Sequence, residues 1–121
     1  MGRIYSQVER IAVPDVASRR NSIETQCLTE TEIEATANRH VQTVAGFVAV
    51  KRALCGVCAR LGLGEWSERD FVLTHTANGA PRIAACPKRL CDENGAPMPG
   101  LYISIAHTKQ HAYGLAVYQE E

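Results

Sequence analysis

The 121-residue sequence carries no excess of charge of either sign: 13 basic and 13 acidic residues give a formal net charge of zero. That excludes a broad basic field and, with it, polyanion binding by bulk electrostatics, so no nucleic-acid partner is expected. The opening MGRIYSQVER has no apolar core of the kind a signal peptide needs. No stretch reads as a membrane-spanning apolar run. A cytoplasmic protein without a membrane partner is therefore expected. The cysteines do not form an even set. There are five, Cys27, Cys55, Cys58, Cys86 and Cys91, and without a secretory signal they argue for reduced thiols rather than a disulfide framework. Internal repeats and low-complexity tracts are absent as well. What remains is 45% hydrophobic and 21% charged, which suits a single domain over residues 1–121 with a modest core.

The most informative stretch is Leu101–Tyr118, LYISIAHTKQHAYGLAVY. It reads as two strands around a polar turn. Leu101, Ile103 and Ile105 alternate with Tyr102, Ser104 and Ala106; Tyr113, Leu115 and Val117 alternate with small or polar residues. Such period-2 alternation gives a buried and an open face. The turn places His107, Thr108 and Lys109 together at a strand end. That is a place where binding groups gather on a rigid sheet, although a solvated hairpin tip has the same composition.

The segment Met1–Ile11 reads as an edge strand, and Ala12–Gln26 as a loop or broken helix. Thr29 and Glu32 have capping-box spacing at a helix start. Helical spacing then runs from Ile33 to about Leu61, with Gly46 and Gly56 expected to bend or divide it. Leu61-Gly62-Leu63-Gly64 ends it. Ser67–Ile83 reads as strand, turn, strand around Asn78-Gly79, with Pro81 just beyond. Cys86–Gly100 reads as loop. The order predicts an α+β domain with one long helix packed on an antiparallel sheet.

Three groups of side chains invite a chemical reading. Cys55 and Cys58 with Cys86 and Cys91 resemble a split zinc site, but the first pair lies on the apolar stripe of the helix, where cysteine serves as a small hydrophobe. A zinc-bearing interaction protein is thus one reading. His40 and His75 fall inside a helix and a strand and are expected to be solvent-facing or satisfied core residues. Lys51-Arg52 is either a polar helix face or a phosphate site.

Read together, these stretches resemble the holo-acyl-carrier-protein synthase family, the small 4'-phosphopantetheinyl transferases, along nearly the whole chain. Leu28-Thr29-Glu30-Thr31-Glu32-Ile33 looks like the family's "(F/L)-T-x-x-E-(L/I)" helix start. Ala45-Gly46-Phe47-Val48-Ala49-Val50-Lys51-Arg52-Ala53 looks like "A-G-R-(F/W)-A-A-K-E-A". Asp70–Ile83 is similar to the strand pair with an "N-G-x-P" turn, and Ser104-Ile105-Ala106-His107-Thr108 to "S-(I/L)-(S/T)-H-(T/D)". Each motif is short; their shared order and separations carry the resemblance.

The resemblance implies a 4'-phosphopantetheinyl transferase-like fold and a homotrimer. It implies Mg²⁺-dependent transfer of phosphopantetheine from coenzyme A to a serine of an acyl carrier protein. It further implies ligand contacts at Lys51, Arg52, Asn78, Gly79, Pro81, Ser104, His107 and Thr108, the residues 78, 79 and 81 at the nucleotide end. Lys51, Ser104, His107 and Thr108 match the family. The two metal carboxylates do not. Ile4 stands where the first Asp belongs and Arg52 where the Glu belongs. A rival register puts Asp15 at the first position but makes the segment before Leu28 too short, so the Ile4 register is preferred. Gly56, Phe47 and Ala106 replace a phosphate-contacting Lys, an Arg and a Ser/Thr. Mg²⁺ is accordingly expected not to bind. Two readings of function follow: a transferase with impaired or lost transfer, or a non-catalytic module binding coenzyme A or a carrier protein.

Overall fold

A computed structural model of the chain describes residues 2–63, 66–77, 79–85 and 100–120. The elements are β1 (Ile4–Ala12), α1 (Val13–Ser18), α2 (Arg20–Cys27), α3 (Glu30–Thr36), α4 (Val41–Arg60), β2 (Val72–His75), β3 (Pro81–Ala85), β4 (Leu101–His107) and β5 (His111–Gln119), with a 3-10 turn at Glu68–Asp70. β1, β5 and β4 form an antiparallel sheet in that order, and β2 and β3 form a separate two-stranded sheet. The α+β class with a long helix on antiparallel strands is as expected, but the strands divide into two sheets.

The edge strand at the N-terminus and the broken helix after it are both present as β1 and as α1 followed by α2. The Thr29 capping box forms: Glu32 N–H donates to Thr29 Oγ1, and the Glu32 carboxylate accepts from Thr29 N–H at 2.9 Å. The helical run does break, but not at the glycines. It breaks between Thr36 and Val41, where His40 takes extended backbone and its Nδ1 accepts from Gln42 N–H at 3.1 Å. His40 is therefore a helix cap rather than a helix-interior residue. Gly46 and Gly56 lie inside α4 because that is where the helix touches the sheet. A Cβ at Gly46 would sit 2.8 Å from Ile105 of β4, and one at Gly56 2.8 Å from Gln7 of β1.

The tightest approach is at Gly114 of β5, under Ala49 and Val50, where a Cβ would fall 2.6 Å from the Val50 Cα. This contact decides which face of β5 is buried, a choice the alternation leaves open. Ala112, Gly114 and Ala116 are buried beneath α4, while Tyr113, Leu115 and Val117 lie half-buried on the outer face. A helix lying this close leaves room for nothing larger than a methyl group. The same parity puts Ile4, Ser6, Val8 and Arg10 of β1 and Tyr102, Ser104 and Ala106 of β4 on the outer face.

α4 is long and apolar enough by composition to cross a bilayer, which the sequence reading did not find. Its residues Val44–Lys51, Ala53, Leu54, Val57 and Cys58 are instead buried in the core. Lys51 is fully buried there. Its ammonium donates to the Cys27 carbonyl at 2.9 Å and pairs with the fully buried Glu32 carboxylate. Glu32 also accepts from Leu73 N–H at 2.9 Å. One carboxylate thus ties the start of α3 to α4 and to β2.

Candidate functional site

The first turn of α4, the β2–β3 hairpin and the end of β4 converge on a cleft of about 140 Å³, lined by Gln42, Thr43, His75, Gly79, Pro81, Ile105 and His107. Each element arrives there for a local reason. The His40 cap starts α4 at the cleft wall, so the positive end of its dipole faces the opening. Gly79 holds φ at +83°, the left-handed region that the turn requires, and its N–H donates to Thr76 O at 2.9 Å. On β4 the parity that buries Leu101 carries Ile105 and His107 to the cleft side.

The β4–β5 turn is held by Thr108. Its N–H donates to His111 O at 2.8 Å, and its hydroxyl accepts from Gln110 N–H and His111 N–H at 3.2 and 3.1 Å. The Gln42 amide donates to Thr108 O at 2.9 Å, tying the helix start to the turn. Thr108 therefore shapes the site while His107 lines it. Nearby, His75 stacks on Phe47 with ring centroids 5.0 Å apart. Burial, and to a lesser degree the Arg39 charge, hold its imidazole below the ordinary 6.5, so it is neutral at neutral pH. Acid costs stability here, since below 6.5 the unfolded chain takes up this proton more readily than the folded one. The cleft thus offers two imidazoles, a hydroxyl and an amide at a helix N-terminus, a set suited to an anionic group.

The structure brings together three of the expected ligand residues, Gly79, Pro81 and His107, with Thr108 behind them. Asn78 lies outside the described residues. Two expected contacts go elsewhere. Lys51 cannot reach a ligand, because its ammonium is consumed by the buried pair with Glu32. Ser104 faces the outer side of the sheet, opposite to Ile105 and His107. Ile4, too, is on the outer face, and Arg52 sits on α4 across the sheet from it, with its Nε 3.6 Å from Glu68 Oε1. One chain does not bring those two positions together. Asp15 is exposed in the first turn of α1. His75, Gln42, Thr43 and Ile105 were missed by the sequence reading. His75 had one usable signal, its nearness to the Asn78-Gly79 turn.

Burial pushes the Cys55 thiol up to about 12 and the Cys58 thiol up to about 11, the behaviour of inert structural cysteines. Cys86 and Cys91, the other half of the zinc reading, lie outside the described residues. Among the described residues no three His, Cys, Asp or Glu side chains cluster as a metal site.

No protein-family model and no curated protein matches the sequence. Solved structures do match. A holo-(acyl-carrier-protein) synthase from Bacillus anthracis str. Ames, in complex with CoA (3',5'-ADP), aligns with a TM-score of 0.71 over 96% of both chains at 17% identity. The Helicobacter pylori synthase in complex with coenzyme A gives 0.69 over 96% of this chain and 100% of that one, at 21% identity. The Neisseria meningitidis synthase gives 0.73 over 96% and 97%, at 17% identity. Over essentially its full length, the chain has the fold of the holo-acyl-carrier-protein synthases.

Proposed function

We propose that the cleft at the start of α4 binds the nucleotide end of coenzyme A, and that the protein acts in phosphopantetheinyl transfer to a carrier-protein serine. The observation that carries this reading is the convergence of His107, Gly79 and Pro81 on one cleft, in a fold whose solved examples include complexes with coenzyme A. In that reaction the serine oxygen bonds to the phosphorus bearing the pantetheine arm, and the hydroxyl proton passes to water. The bond to the other phosphate breaks, and 3',5'-ADP leaves with the charge. The chain's own contribution is to hold the leaving nucleotide through His107, Thr43 and the α4 dipole. Incubation of an apo-carrier protein with this protein, coenzyme A and Mg²⁺, followed by intact mass spectrometry, tests the reaction. A gain of one phosphopantetheine arm supports it; an unchanged carrier mass removes the catalytic reading.

A second reading, a non-catalytic module binding coenzyme A or a carrier protein, is favoured by Ile4 and Arg52 at the positions of the family's metal carboxylates. It predicts coenzyme A binding with no mass gain.

We also propose a homotrimer packed through the outer sheet face. The outer face offers apolar surface for a second copy. Ile4, Val8 and Tyr102 are 66%, 59% and 62% exposed there, alongside Leu115 and Val117. Light scattering should give three times the 13.2 kDa chain mass. A monomer mass that is independent of concentration would contradict this assembly.

A further inference from the structure

Among the described residues that line the cleft, only His75 and His107 can carry a charge. His107 is exposed, whereas His75 is half-buried. The His75 ring lies against Phe47, with centroids 5.0 Å apart and planes 27° apart, so one face is covered while the ring still lines the cleft. The groups around that ring set its charge. From the link before α4 come Arg39, an exposed cation whose field reaches the imidazole, and His40, whose Nδ1 caps the helix. From α4 come the uncharged Gln42, Thr43 and Phe47, with the positive end of the helix dipole. β3 brings Pro81, paired with His75, and Arg82, paired with Thr74; β4 brings His107. On α3, the Glu32 carboxylate that reaches β2 is already held by Lys51 and the Leu73 N–H. Among the described residues, then, the charges facing the ring are positive. Without an anion they and burial oppose the imidazolium; an anion in the cleft reverses that balance.

We propose that His75 binds a phosphate of coenzyme A as the imidazolium, taking its proton from solvent as the ligand enters, so that the cleft holds this ligand more tightly in mild acid. This rests on the coenzyme A reading above. A neutral imidazole presents one acceptor nitrogen, whose lone pair repels a phosphate oxygen. One proton from the buffer acid bonds to that lone pair, and the new N–H donates to the phosphate in a charge-assisted hydrogen bond. Phe47 does not obstruct the change, because a cation against an aromatic face is attracted to it. The sign follows from the two states. Without ligand, His75 titrates below the ordinary 6.5; with a phosphate beside it, it titrates higher than that free value. Affinity therefore rises as the pH falls through the bound value and levels off below the free one. The proton that destabilises the free protein stabilises the complex.

The test is calorimetric titration of the full chain with coenzyme A in pairs of buffers that differ in ionisation enthalpy, so that the difference in heat counts the protons taken up. His75→Phe keeps a ring against Phe47 and cannot accept a proton; His75→Gln gives the same comparison if the phenyl ring does not fold, and circular dichroism checks both. The ligand's own phosphates titrate in every protein and cancel between them. At about pH 6 the wild type is expected to take up about half a proton more than the variant. Its affinity should be about fivefold tighter at about pH 5.5 than at about pH 7.5, a gain that shrinks to about twofold or less in the variant. Binding with equal proton uptake in wild type and variant would overturn the inference and leave the coenzyme A reading standing. No binding at any of these pH values would overturn both.

Discussion

Glu32→Ala is expected to cost about 4 kcal/mol of unfolding free energy, more than any single surface change in this chain. The carboxylate is fully buried and accepts from three partners on three elements: Thr29 N–H, the Lys51 ammonium and Leu73 N–H. Removing it leaves the buried Lys51 ammonium with only the Cys27 carbonyl and no counter-charge, and takes the acceptor from the buried Leu73 N–H and the half-buried Thr29 N–H; an uncompensated buried charge is the costly case. Lys51→Met should cost less, about 2 kcal/mol, because the Glu32 carboxylate keeps its donors from Thr29 and Leu73 and the methionine fills most of the lysine's volume. Urea unfolding at one fixed protein concentration measures both, since the proposed assembly would make stability concentration-dependent. A larger loss for Lys51→Met than for Glu32→Ala would show that the lysine, not the carboxylate, is the centre of the network.

The second large effect is expected at Gly114. Gly114→Ala should cost about 3 kcal/mol, because the added Cβ meets backbone of α4, 2.6 Å from the Val50 Cα, and a helix backbone cannot yield as a side-chain tip can. Gly62→Ala is the control. Gly62 has positive φ, at +73°, which Gly114 does not, and nothing lies within 4 Å of its Cβ direction. Its cost is conformational only, about 1 kcal/mol. Equal losses at the two positions would mean that α4 can lift off β5 freely, and the helix–sheet contact would not be the tight one described.

These two sites also mark where sequence reading works and where it stops. Thr29 and Glu32 are three residues apart, so their capping box is a local pattern and could be read directly. The other bonds of Glu32 reach 19 and 41 residues along the chain, to Lys51 and Leu73. No periodicity reports them, and Lys51 was therefore expected at a ligand rather than in the core. The alternation in β5 gave the strand and its two faces. It left open which face is buried, because that is set by the closeness of α4, which admits only Ala112, Gly114 and Ala116. Gly46 and Gly56 misled for the same reason: glycine costs helix stability locally, and only the packed structure reveals that the missing Cβ lets helix and sheet touch.

In the cleft, His107, Gly79 and Pro81 stood out because each sits in a turn or strand-end motif. His75 did not, since its value comes from stacking on Phe47, a helix residue far away in sequence. Gln42 and Thr43 were hidden by the misplaced helix break. Once His40 is recognised as the cap, both fall in the first turn of α4, facing the cleft.

The central claim is that coenzyme A is held in the cleft that His107 lines. The most direct test is calorimetric titration with coenzyme A of the wild-type chain and of His107→Ala, each with its thermal midpoint recorded. His107 is exposed, so its truncation should leave the midpoint within about 2 °C of wild type. The account predicts saturable binding by the wild type and an affinity about tenfold weaker in the variant. Equal affinity in the two proteins would contradict it.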